Sequence, residues 1–145
     1  MSSREMLFDA DVFLSYIGGD NLLEFSERAV NQVLDGSVSA YVSSIIYDDV
    51  VTALRSKEMP VEKVIRVLAA MASIPHIPLP LDPAISINAM RLYMKHRGSR
   101  RLHYFDSYHV ATAIKNNKPL LTSDKYILEN KDQLGINALD IRFDI

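Results

Sequence analysis

Apolar and polar positions along this chain alternate between two periods, one of strands and one of helices. The first apolar run, Leu7-Phe8-Asp9-Ala10-Asp11-Val12-Phe13-Leu14, begins as a strand to Phe8 and then meets two carboxylates. Carboxylates are poor strand residues and costly to bury without partners, so Asp9 marks the carboxyl end of that strand. A purely local account is that Asp9 or Asp11 caps a following helix. Leu22, Phe25, Ser26, Ala29, Val30, Val33 and Leu34 then recur at helical spacing, and Asp35-Gly36 supplies a stop, which predicts a helix over about 21–34. Ala40 to Ser43 reads as a short strand, after which Ile45, Ile46, Val50, Ala53 and Leu54 return to the helical period. Pro60 suits the start of the next helix, with Val61, Val64, Ile65, Leu68 and Ala72 as its apolar stripe. The prolines between Ile74 and Pro80 allow only a short or edge strand, at His76 to Leu79. Asp82-Pro83 resembles a cap followed by proline at the first helical position, opening a helix whose face is Ile85, Ala89, Leu92 and His96, before Gly98 breaks it. A helix over Tyr104 to Asn117 and a strand from Pro119 to Thr122 follow. In the last strand, within Ile136 to Phe143, Leu139, Ile141 and Phe143 oppose Asp140 and Arg142.

Strands alternating with helices predict an α/β fold with a mostly parallel sheet, in which ligands bind beyond the carboxyl ends of the strands. The chain has 145 residues, which fits a single domain over 1–145. It has no cysteine, which excludes disulfide frameworks, thiolate metal sites and cysteine nucleophiles. No run approaches a membrane span, and charges interrupt any leader-like apolar stretch, so the expectation is a soluble, cytoplasmic protein. A net charge of −2 argues against bulk charge-driven binding of nucleic acid. It leaves room for a local patch. The one concentrated basic stretch is Lys95-His96-Arg97-Gly98-Ser99-Arg100-Arg101-Leu102-His103.

Carboxylates occur where strands end. Asp9 follows the first strand, and Ser123-Asp124 follows Leu120-Leu121-Thr122. On the helix after Ser43, successive residues turn about 100°, which places Asp49 at the border of the apolar arc and Asp48 nearly opposite its centre. Asp106 shares a face with Val110 and Ala113, so a carboxylate opens a stripe that otherwise looks buried. Taken alone, an acid in the first turn of a helix also complements the helix dipole. Four such acids converging would repel one another by about 4 kcal/mol per pair at 4 Å and an effective dielectric near 20. A cluster of that kind is protonated or filled by cations. Oxygen donors without cysteine suit Mg²⁺ or Mn²⁺, and Mg²⁺ commonly completes its shell with phosphate oxygens. The four histidines lack metal-ligand spacing and read as structural or surface residues; His109, one turn from Asp106, is the one to watch. Tyr104, Phe105 and Tyr108 read as packing residues.

Four pieces together resemble the PIN-domain family, the metal-dependent ribonuclease fold that includes VapC-type toxins. They are Leu7-Phe8-Asp9-Ala10-Asp11-Val12, Ser43-Ser44-Ile45-Ile46-Tyr47-Asp48-Asp49, Phe105-Asp106-Ser107-Tyr108-His109-Val110-Ala111-Thr112-Ala113 and Leu120-Leu121-Thr122-Ser123-Asp124. The resemblance implies a three-layer fold with a five-stranded, mainly parallel sheet flanked by helices. It also implies an acidic pocket of Asp9, Asp49, Asp106 and Asp124, with Asp11 and Thr122 in support. One or two Mg²⁺ or Mn²⁺ ions would there hydrolyse an RNA phosphodiester, single-stranded or structured, leaving 5′-phosphate and 3′-hydroxyl ends. Asp49 stands where the family usually has Glu. Arg97, Arg100 and Arg101 become candidates for RNA phosphate contacts. A homodimer and, for a toxin, an antitoxin protein are the partners implied. Two alternatives remain open: a catalytically silent PIN-like RNA-binding or scaffold module, and a haloacid-dehalogenase-type phosphatase suggested by Asp9-Ala10-Asp11-Val12. Chain order disfavours the phosphatase, because the Asp48-Asp49 pair lies upstream of Thr122 and no room for the later motifs remains after it.

Overall fold

The computed structural model describes residues 2–97 and 101–145. Strands β1 (Arg4–Phe8), β2 (Val38–Ser43), β3 (Ile77–Leu79), β4 (Leu120–Thr122) and β5 (Ala138–Asp140) form one sheet in the order β3-β2-β1-β4-β5. Every neighbouring pair is parallel. Because side chains alternate across a strand, Met6 and Phe8 enter one face and Leu7 the other. The first face is covered by α1 (Ala10–Gly18), α2 (Leu23–Leu34), α3 (Ile46–Ser56) and α4 (Val61–Ser73), through Phe13, Ala29, Val50 and Met71 among others. The second face packs against α6 (Tyr104–Lys115), α7 (Lys125–Glu129) and α8 (Lys131–Leu134) through Val110, Ala113, Ile127 and Leu134. Helix α5 (Pro83–Lys95) lies on α6, with Ile85 and Ala89 against Tyr108 and Ala111. The result is the expected three-layer α/β fold.

Local chemistry explains several of the boundaries. Asp82 caps α5 by accepting from the Ile85 N–H at 2.8 Å, with Pro83 at the start of the helix. Pro78 is tolerated because β3 is an edge strand. Asp9 caps α1, its side chain accepting from the Ala10 N–H at 2.7 Å, and Gly19 closes that helix in the left-handed region at φ 71°.

Two expectations are corrected. The buried face of α4 is Val64 and Met71, with Val67 and Leu68 partly covered, whereas Val61 and Ile65 are 52% and 59% exposed. The helix is apolar over more than one arc, so periodicity alone does not say which arc meets the sheet. The last strand stops at Asp140, and Phe143 is 80% exposed. Asp140 accepts from the Arg142 N–H at 3.0 Å, and its carbonyl takes the N–H groups of Phe143 and Asp144. A side chain that bonds its own downstream backbone turns the chain out of the sheet. The short helices α7 and α8 lie in a stretch for which periodicity predicted no element.

Candidate active site

The chain runs β1, β2, β3 outward to one edge and then returns to place β4 and β5 on the other side of β1. The strand order therefore switches between β1 and β4, where a crevice opens beyond the carboxyl ends. Asp9 follows β1 there, and Asp124 follows β4. Asp9 Oδ2 accepts from Thr122 Oγ1 at 2.7 Å, and Thr122 Oγ1 in turn accepts from the Asp124 N–H at 3.0 Å. Asp11 Oδ2 accepts from both the N–H, at 2.8 Å, and the hydroxyl of Ser123. These bonds stitch the start of α1 to the loop after β4. Asp124 Oδ1 caps α7 by accepting from the Ile127 N–H at 3.0 Å.

Two helices complete the crevice from either side of the sheet, each contributing an acid in its first turn: Asp49 from α3 and Asp106 from α6. Asp9, Asp49, Asp106 and His109 each offer a ligand atom within 4.8 Å of the others, and Asp106 also groups with Asp124 and His103 within the same limit. Asp106 thus links an inner group to an outer one. His109 Nε2 stands 2.8 Å from Asp49 Oδ2 and 3.9 Å from Asp9 Oδ1.

A PIN domain model matches residues 6–133. The chain belongs to the PIN domain family. Solved structures agree on the fold of this PIN domain. VapBC2 from Rickettsia felis, bound to a DNA fragment from its promoter, aligns with a TM-score of 0.68 at 13% identity, covering 94% of this chain and 98% of that one. VapBC-1 from nontypeable Haemophilus influenzae aligns with a TM-score of 0.66 at 15% identity, covering 95% and 98%. A toxin-antitoxin complex from Klebsiella pneumoniae gives 0.62 at 17% identity, covering 97% and 99%. No curated protein matched the chain by sequence.

Electrostatics in the PIN crevice are unfavourable to its own charges. Burial, then the charges of Asp9, Asp124, Asp49 and Asp11, push the Asp106 carboxyl up to about 10. Burial and the Asp9 charge hold Asp11 up at about 7 against the Ser123 bonds. Asp9 is raised chiefly by burial, with His109 and Thr122 opposing the shift. Burial would lower His109, but its bond to Asp49 and the charges of Asp9, Asp49 and Asp11 raise it overall. Oxygen-rich, buried and short of positive charge, the crevice has a donor set that fits a hard divalent cation. Asp11 Oδ1 is buried without a partner, as a site built for an additional charge permits.

All four sequence-predicted acids reach the crevice. The helical phase separates Asp49 from Asp48, for Asp48 is exposed and Asp49 partly buried. Asp49 reaches the cluster although it is a methylene shorter than Glu. Asp9 is cap and cluster member at once, because its two oxygens face different partners. Arg97 and Arg101 are exposed, and Arg100 lies outside the described residues. Sequence reasoning understated His109, which is fully buried inside the acidic group. Its signal was the three-residue step from Asp106, which puts both on one helix face.

Proposed function

We propose that this PIN domain is a metal-dependent endoribonuclease and the toxin of a toxin-antitoxin pair. The observation that carries the reading is the convergence of Asp9, Asp49 and Asp106 within 4.8 Å, where Asp106 is strongly disfavoured as an anion unless a cation is present. Asp9, Asp49, Asp106 and Asp124 are the residues that would hold Mg²⁺ or Mn²⁺. When bound, such an ion supplies an activated water and stabilises charge on the leaving oxygen of a phosphodiester. Thr122 and the Ala10 N–H hold Asp9 by both oxygens, so its orientation is set before any ligand arrives. Asp11, bonded to Ser123, keeps the loop carrying Asp124 against α1.

Arg97 and Arg101, with Arg100, flank the approach to Asp106 in sequence and serve RNA phosphates. The similar solved structures include toxin-antitoxin complexes, which supports an antitoxin as partner. Exposed Ile87, Met94 and Ile114 give such a protein, or a second copy in a homodimer, apolar surface to cover. Among the described residues no helix is long and apolar enough to cross a membrane.

The test is cleavage of single-stranded and structured RNA by the purified protein, with Mn²⁺ or Mg²⁺ and with a chelator. The expected products carry 5′-phosphate and 3′-hydroxyl ends, and the chelator stops the reaction. Metal-dependent cleavage that persists in both Asp9→Asn and Asp106→Asn overturns the site. A folded protein that binds no Mn²⁺ near neutral pH is instead a silent scaffold.

A further inference from the structure

We infer that His109 is a positioning residue that holds the Asp49 carboxylate in its ligating orientation, joining α3 to α6 across the crevice. The inference rests on the proposal that the crevice binds a divalent cation. The other acids are held either from the neighbouring carboxyl ends of β1 and β4 or from their own helix starts: Asp9 by Ala10 and Thr122, Asp11 by Ser123, Asp124 by Ile127, and Asp106 by His103 with Nδ1 at 3.4 Å from Oδ2. Asp49 differs. Its side chain meets His109 Nε2 at 2.8 Å, from a helix on the opposite face of the sheet. An unsupported carboxylate in the first turn of a helix would sample several rotamers, and fixing one of them before the cation arrives removes that entropy cost.

The imidazole itself points to the same role. It is 0% exposed, and its other nitrogen, Nδ1, is buried with no partner. Burying a ring with one polar atom unsatisfied costs more than burying a leucine or methionine of similar size. The position is therefore poor as packing and good as a donor: Nε2–H donates to Asp49 Oδ2 and leaves Oδ1 free for a ligand. Because Asp106 sits one turn earlier on α6, one helix supplies an acid and the holder of the facing acid.

Mn²⁺ titration by calorimetry, with melting temperature as the control, tests this on the whole protein. His109→Gln can still present an N–H near the place of Nε2–H, and is expected to bind within about threefold of wild type. His109→Met keeps volume and loses the donor, and should bind about 10–100-fold more weakly, the usual loss for an outer partner of a ligand. The double variant His109→Met, Asp49→Asn should be little weaker than Asp49→Asn alone, since both changes remove one interaction. Equal affinity of His109→Met and wild type overturns the inference alone. A wild type that takes up no Mn²⁺ overturns the metal reading and this one with it. Electron spin-echo spectroscopy of the wild-type Mn²⁺ complex needs no variant: a histidine nitrogen coordinated directly to the ion overturns positioning in favour of ligation, and its absence supports positioning.

Discussion

Acids of the same chemical kind behave in opposite ways at the rim of this molecule and in its crevice. At the rim, Glu5 accepts from Lys118 at 2.6 Å and Asp82 is bonded to Lys115; these lysine bonds are the main reason both carboxyls lie below the usual range. In the crevice, Asp9, Asp11 and Asp106 are all raised, with burial as the first cause of each. No lysine or arginine among the described residues makes an ion pair with these three; the groups that approach Asp9 and Asp106 are His109 and His103. The rim is electrically closed by the chain itself. The crevice is left open to a charge from outside, which is what a cation site requires.

The contrast can be broken most severely by removing a crevice acid. Asp106→Asn should lower RNA cleavage by at least about 100-fold, above the range for an outer partner, with circular dichroism unchanged. Glu5→Gln, at the rim, should leave cleavage intact. Next in size is the effect of the cation on stability. Mn²⁺ at 100 times its dissociation constant should stabilise wild type by about 2.7 kcal/mol, seen as a rise of several degrees in Tm, and should do far less for Asp106→Asn.

The metal-free protein gives a smaller, signed effect. Folded Asp106 keeps its proton to about pH 10, whereas the unfolded chain releases it near pH 4. Between those values the folded state binds more protons, so this group's contribution to stability falls as pH rises. Without metal, Asp106→Asn should therefore be more stable than wild type at pH 8 by about 1–3 kcal/mol in denaturant unfolding, with the gap shrinking toward pH 4. A wider gap at pH 4 than at pH 8 would contradict the crevice electrostatics. For RNA affinity, Arg100→Ala, Arg101→Ala should reduce the salt slope by about one to two, and an unchanged slope would remove these arginines from the RNA contacts. Smallest of all is Lys115→Ala at the rim, which should leave cleavage unchanged and shift Tm least of the series.

Much of this was legible in one dimension because it depends on neighbours a turn away. Asp82-Pro83 announces a helix start, and the phase that separates Asp49 from Asp48 is a property of α3 by itself. The opening Asp9 was legible twice over, as a cap and as an acid at a strand end, and both descriptions hold because its two oxygens are engaged separately. Where an element was misjudged, two local solutions competed. Helix α4 has overlapping apolar arcs, and the chain after Asp140 chooses side-chain turns over pairing.

The sequence by itself determined the order of the five strands and most of the helices, the exclusion of the Pro78 segment from the middle of the sheet and the placing of four acids where elements begin or end, since backbone periodicity and capping are local. Only the tertiary structure decided that His109 faces Asp49 across 60 residues of chain, and that Asp106 links an inner acidic group to an outer one. Those distances follow from which helix covers which face of the sheet, and from a return of the chain to the far side of β1. A sum of many weak packing contacts sets that choice, and no single residue spacing records it.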